Sequence, residues 1–178
     1  MPKPGTGALE SLSAVERDSI LTALLRSHPE LLAEAERLAA GLLARQDRDA
    51  VAESVAAELR ALHLGQLADR AGPQWEGGYV DPTEAADELL YEAVQPYLED
   101  LKPRARIGAV EAAREIGLGV LTGLYACRGE DDNDRVLTHA GMPDAVDDLG
   151  SLAIRIMEKA GLDVPNDWLA EQCPAWAG

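Results

Sequence analysis

The chain has 178 residues, of which 47% are apolar and 4% aromatic, with no phenylalanine and a net charge of −16. This length favours one domain with a core of its own, and a core of Ala, Leu and Val with few rings favours packed helices over a β-sandwich. The negative charge repels phosphate backbones and anionic membrane surfaces, which argues against direct nucleic-acid binding and against membrane association.

The first 45 residues predict a tail and two helices. Residues 1–10 show no helical pattern, whereas Ser13 and Glu16 have the spacing of a capping box and lead into an apolar stripe. A second helix starts at Ser27 and keeps helical spacing to about Arg45. Because the join between the two helices is very short, we expect them to form an antiparallel pair.

The next segment predicts a third helix followed by the clearest loop of the chain. Asp47 is placed to cap this helix, and Gly65 interrupts it. Residues 72–80, Gly-Pro-Gln-Trp-Glu-Gly-Gly-Tyr-Val, combine turn-forming residues with two aromatic rings.

Two long helices are predicted in the centre of the chain. In the sequence Asp-Pro-Thr-Glu, Asp81 is expected to cap the fourth helix and Glu84 to be its reciprocal partner. Pro96 lacks a backbone donor and is expected to kink or break this helix. Pro103 then starts a fifth helix that runs to about Cys127, and its interior glycines each cost about 1 kcal/mol of helix propensity. Keeping them predicts close packing against neighbouring helices.

The last part of the chain predicts a polar, turn-rich segment over 128–142 and a sixth helix. That helix starts at Pro143-Asp144 and stops at Gly161, and no segment of the chain alternates with the period of a strand.

These elements predict an all-α fold of about six helices, in an irregular bundle or a short helical-repeat-like stack. The predicted domain organisation is a flexible tail over residues 1–10 and a single helical domain over residues 11–178. The two cysteines do not make a disulfide framework, and the N-terminal residues lack the apolar run of a signal peptide. We therefore expect a cytoplasmic protein.

No motif for catalysis or cofactor binding is found in the sequence. Asp132 and Asp134 alternate as in a calcium loop, but Arg135 follows them and the glycine turn is missing. The histidines and cysteines do not have metal-ligand spacings, and neither a nucleophile elbow nor a phosphate-binding glycine loop occurs. We therefore predict no catalytic, cofactor-binding or metal-binding residues, and no enzymatic activity.

The predicted working surface lies in the most acidic third of the chain. Residues 46–103 carry a net charge of −9, against −1 for residues 1–45 and −6 for residues 104–178. The rings of Trp75 and Tyr79 could anchor a protein partner, and they could equally fold back over the edge of the core. The predicted partner-binding residues are Trp75, Tyr79, Asp81, Glu84 and Glu88. The expected partner is a protein, basic in charge, or a second copy of this chain.

A family resemblance involves residues 78–125. The first part of this segment reads Gly-Tyr-Val-Asp-Pro-Thr-Glu-Ala-Ala-Asp-Glu-Leu-Leu-Tyr-Glu-Ala-Val-Gln-Pro-Tyr-Leu-Glu-Asp-Leu, and residues 119–125 read Gly-Val-Leu-Thr-Gly-Leu-Tyr. Together they resemble the helical segment of uncharacterised bacterial proteins that also carry a SWIM-type zinc finger. The Cys-x-Cys and Cys-x-His ligand pairs of the finger are absent here, so its zinc and nucleic-acid roles do not carry over. The resemblance implies the helical companion region standing alone.

Together these features predict a non-enzymatic, acidic helical protein-interaction module. The alternative is an acidic antagonist or decoy of a basic, nucleic-acid-binding partner, and an enzyme is the third interpretation. An interaction module binds through an apolar patch in moderate salt, whereas a decoy loses affinity steeply with salt. An enzyme has a deep pocket with convergent polar groups.

Overall fold

The computed structural model describes residues 8–73, 78–129, 136–139 and 144–177. It divides into two compact units, Met1–Leu42 and Leu43–Gly178, whereas the sequence analysis predicted a single domain from residue 11. The two units differ in burial. The first two helices contain no buried residue, and the apolar core lies in the second unit.

The first unit begins with a 3-10 turn at Ala8–Ser11 and α1 at Ala14–Ser27, and continues with a 3-10 turn at Pro29–Leu31 and α2 at Leu32–Leu43. The predicted capping box is confirmed, because the Glu16 amide donates to Ser13 Oγ (3.3 Å) and the Ser13 amide donates to Glu16 Oε2 (2.8 Å). The helix α1 packs on the second 3-10 turn and not along α2, so the predicted antiparallel pair does not form. The join is itself mostly helical, and only His28 interrupts it (φ −133°, ψ 71°).

The second unit contains the remaining helices and a short two-stranded ribbon. The helices are α3 (Arg48–Ala61), α4 (Leu64–Arg70), α5 (Pro82–Arg106), α6 (Val110–Ala126), α7 (Val136–His139), α8 (Asp144–Lys159) and α9 (Asn166–Gln172). The strands β1 (Gly72–Pro73) and β2 (Tyr79–Val80) are antiparallel.

The structure confirms a predominantly helical protein but corrects the number of helices and the prediction of no strand. The described residues contain nine α-helices rather than about six. The additional ones, α4, α7 and α9, are four to seven residues long, too short for apolar periodicity to separate them from turns. None of the helices in the described residues is both long enough and apolar enough to cross a membrane.

The centre of the second unit is α6, which packs against α3, α5 and α8. Ten of its 17 residues are buried, so most of its circumference contacts protein rather than water. A Cβ at Gly119 would lie 2.7 Å from the Arg48 carbonyl oxygen and 2.7 Å from Val51 Cβ. At Gly123 a Cβ would lie 2.7 Å from the Ala52 carbonyl oxygen. The expectation that these glycines mark a close helix contact is therefore confirmed.

The structure contradicts a break of α5 at Pro96 and a start of the next helix at Pro103. The helix continues through Pro96 and includes Pro103 in its last turn. An interior proline costs about 3 kcal/mol or more. Buried leucines on both sides of Pro96 hold the two halves of the helix against the core. The chain turns instead at Gly108, whose φ of +85° suits glycine, and α6 starts two residues later.

The C-terminal residues pack on α6 and α8. A Cβ at Gly150 would lie 2.8 Å from the Trp176 ring, and the edge of that ring meets Tyr125 at a centroid distance of 5.1 Å. The Trp176 indole N–H donates to Asp147 Oδ1 (2.7 Å), and the Arg128 guanidinium donates to both oxygens of the same carboxylate (2.8 and 3.1 Å). These hydrogen bonds, first that of Arg128, lower the pKa of Asp147.

We predict that Gly119→Ala destabilises the protein by about 1–3 kcal/mol, because the added methyl group must displace the backbone of α3. The free energy of unfolding from urea titrations measures this effect. Gly41→Ala is the matched control, because a Cβ at this position of α2 meets nothing within 4 Å. Equal stability of the Gly119 variant and the unmodified protein would show that α3 and α6 can separate without cost.

Candidate functional site

The ribbon of β1 and β2 presents one aromatic ring to solvent. Tyr79 pairs with Pro73 and Val80 pairs with Gly72, and successive side chains of a strand point to opposite faces. Val80 accordingly packs against the core, while Tyr79 is 66% exposed. Trp75, the other ring predicted here, lies outside the described residues.

The start of α5 follows directly after the ribbon. Asp81 caps the helix, since its Oδ1 accepts a hydrogen bond from the Thr83 amide (2.8 Å). Pro82 occupies the first helical position, where its missing N–H costs nothing. Glu84 and Glu88 are exposed one turn apart along the same helix. The carboxylate of Asp81 is therefore occupied with capping, whereas those of the two glutamates are accessible to a ligand.

A guanidinium joins α4 to α5 below the ribbon. Arg70, the last residue of α4, donates from Nη2 to Glu92 Oε2 (2.8 Å), and its Nη1 lies 3.6 Å from Glu88 Oε2. The hydrogen bond from Arg70 lowers the pKa of Glu92, and the same bond raises the pKa of Arg70. Both glutamates are more than half exposed, so this contact orients the side chains more than it stabilises the fold.

These elements enclose an open groove of about 610 Å³ between α4 and α5. Its lining residues are Gln66, Asp69, Arg70, Val80, Glu88, Leu89 and Glu92. Three carboxylates face one guanidinium, which leaves the lining with a net charge of −2. Val80 and Leu89 add an apolar part. Such a surface can hold a cationic side chain together with the apolar stem that carries it.

The structure brings part of the predicted site together. Glu88 lines the groove, Tyr79 lies on the same strand as the groove-lining Val80, and Asp81 joins the ribbon to α5. The sequence analysis did not identify Asp69 or Arg70, because they come from α4, and Arg70 meets α5 22 residues further along the chain. Glu92 could have been predicted from the sequence, because it continues the four-residue spacing of Glu84 and Glu88 on one face of the helix.

The acidic run at 130–134 lies outside the described residues. Within the described ranges, no group of three or more His, Cys, Asp or Glu side chains is placed to hold a metal ion.

Comparison with protein-family models, curated proteins and solved structures finds no match to this chain. The resemblance of residues 78–125 to the helical segment of SWIM-type zinc finger proteins therefore stays a prediction.

We predict that Arg70→Ala raises the pKa of Glu92, because the hydrogen bond that favours the ionised carboxylate is lost. In the unmodified protein Glu92 releases its proton at a lower pH than in the unfolded chain. The contact therefore stabilises the fold above the unfolded pKa, and this contribution disappears as the pH falls through the folded value. Carboxyl-carbon NMR titration of Glu92 measures the shift.

The control for this titration is Arg37→Ala. Arg37 pairs with Glu34 in α2 and lowers the pKa of that carboxyl. This variant should raise the pKa of Glu34 and leave Glu92 unchanged. If Arg70→Ala leaves the pKa of Glu92 where it is, the bridge between α4 and α5 is not formed in solution.

Proposed function

We propose that this protein is a non-enzymatic, acidic interaction module that binds a basic segment of a partner protein in the groove between α4 and α5. The observation that carries the proposal is a groove lined by the carboxylates of Asp69, Glu88 and Glu92, next to a ribbon that exposes the ring of Tyr79 on its other face. A second copy of the chain is the other candidate occupant.

Tyr79 has the properties of an interface anchor. Its ring is largely exposed, although leaving a large ring in water forgoes the free energy of burying it. The ribbon and the packed Val80 restrict its position, so that little conformational entropy is lost when a partner covers it. Tyrosine is among the residues enriched at interface hot spots.

The charge distribution favours a cationic partner. Residues 1–42 contain four basic and six acidic residues, which leaves 12 basic and 26 acidic residues, a net charge of −14, for residues 43–178. A field of this sign accelerates encounter with a basic surface and repels nucleic-acid backbones. The carboxylates of the groove then select the register of the bound segment, since unlike charges pair and like charges are rejected.

The cellular setting that we propose is the cytoplasm. Cys127 and Cys173 are both buried free thiols. Burial raises the pKa of the Cys173 thiol to about 11, which keeps it protonated and unreactive at neutral pH. Two thiols used as small apolar core residues suit a reducing compartment.

The charge of −14 on the second unit also favours a second candidate, an acidic antagonist that occupies a basic, nucleic-acid-binding partner. The two candidates differ in the origin of their affinity. A complex anchored by Tyr79 persists in moderate salt, whereas a complex held by charge alone weakens steeply as the Debye length shrinks. An enzyme remains the third candidate.

We predict that Tyr79→Ala weakens the complex by about 2 kcal/mol or more, roughly 30-fold in the dissociation constant, and leaves the melting temperature unchanged. The partner is first recovered from the native lysate, and its affinity is then measured by calorimetry at about 0.15 M salt. Tyr91→Ala is the matched control, since this ring is 38% exposed on α5 and is not part of the ribbon.

The result of this experiment separates the candidates. Equal binding by the Tyr79→Ala variant and the unmodified protein, together with a steep loss of affinity in salt, would replace the interaction module with the antagonist. A lower melting temperature of Tyr79→Ala would show that the ring belongs to the core of the fold rather than to an interface.

A further inference from the structure

A basic recess lies at the C-terminal ends of α5 and α8, away from the acidic groove. It has a volume of about 270 Å³ and is lined by Lys102, Ala105, Arg106, Lys159 and Ala160. Three of these five residues are cations, and none of the lining residues is acidic. Lys102 and Lys159 are two of the three lysines in the chain, so their convergence in one recess is unusual for a protein of this composition.

The cations of this recess differ from most others in the second unit. Ion pairs with carboxylates engage Arg48 with Glu115, Arg70 with Glu92, Arg104 with Asp100, Arg114 with Glu111 and Arg128 with Asp147. By contrast, no carboxylate of the described residues lies at ion-pairing distance from Lys102, Arg106 or Lys159. Although residues 43–178 include 26 acidic residues, these three cations are not paired with a carboxylate of the described residues and are available to a ligand.

Local electrostatics do not account for this arrangement. Lys102 and Arg106 are four residues apart on α5, a spacing at which like charges repel, and Lys159 adds a third positive charge from α8. Cations in the last turn of a helix interact favourably with its dipole, which explains Arg106 and Lys159 one at a time. Lys102 lies before the last turn of α5, where this effect has faded, and the dipole does not explain why the three charges share one recess.

We propose that this recess binds the phosphate group of a small phosphomonoester. A phosphate ester carries a charge of about −1.5 to −2 at neutral pH, which three cations can balance, whereas a single carboxylate would leave most of their charge uncompensated. A planar guanidinium such as that of Arg106 binds two phosphate oxygens, and Lys102 and Lys159 bring two ammonium groups to the same recess. The small alanines at 105 and 160 leave room for the ligand between the helices.

The acidic remainder of the molecule limits the affinity but does not abolish it. At physiological ionic strength the Debye length is about 8 Å, so exposed carboxylates beyond that distance are largely screened from the recess. Binding then depends on the three local cations acting together, and loss of two of them should remove most of it.

The test is a titration of the full chain with glycerol phosphate at constant ionic strength, followed by amide NMR shifts and by calorimetry. Saturable shifts centred on the ends of α5 and α8 are expected. The double variant Lys102→Gln/Lys159→Gln should bind at least tenfold more weakly, since glutamine keeps the helix propensity and removes the charge. The control Arg17→Ala/Arg26→Ala removes two exposed cations from α1, with the same change in net charge, and should bind as the unmodified protein does.

Several outcomes would overturn the proposal. These are an absence of saturable shifts in the unmodified protein, equal affinity of the double variant, or binding of acetate as tight as that of glycerol phosphate. If the cations serve only the helix dipoles, the double variant melts at a lower temperature than the unmodified protein. Glycerol phosphate then raises the melting temperature of both proteins by the same amount. If the double variant does not fold, Lys159→Gln alone is used and should weaken binding several-fold.

Discussion

The second unit depends on the close contact between α6 and α3. Gly119 and Gly123 are one turn apart and face Val51 and Val55, which are also one turn apart on α3. With hydrogen atoms in place of side chains, the backbone of α6 approaches the carbonyl oxygens of α3 to a distance that no Cβ would permit. The short distance lets many atoms reach van der Waals contact, and this offsets the poor helix propensity of glycine.

The position of α6 at the centre determines where the charged residues lie. Since α3, α5 and α8 surround it, each of these helices turns an apolar face inward and its charged residues outward. No polar or charged side chain is fully buried among the described residues. Charged groups also connect the layers at their edges. Arg48 of α3 makes two hydrogen bonds with Glu115 of α6 (2.7 and 3.0 Å), and its guanidinium lies over the ring of Trp168.

The surface of the second unit has two electrostatic regions. The groove between α4 and α5 carries an excess of carboxylates and a neighbouring exposed ring, whereas the recess between the ends of α5 and α8 carries cations alone. Both include α5, whose 25 residues extend from the acidic ribbon end to the basic end. The two regions therefore share one helix that is continuous through Pro96 and packed against the core on both sides of it.

The sequence by itself determined the helical class, the capping box at Ser13, the cap at Asp81 and the close-packing glycines of α6, because these depend on local hydrogen bonds, periodicity and side-chain size. Only the tertiary structure decided that α5 continues through Pro96, because the burial of leucines on both sides of it offsets the cost of a proline inside a helix. The pairing of Arg70 with α5 and the meeting of Lys102 with Lys159 likewise required the fold. Residues separated by tens of positions are brought together by helix packing, which a local pattern does not encode.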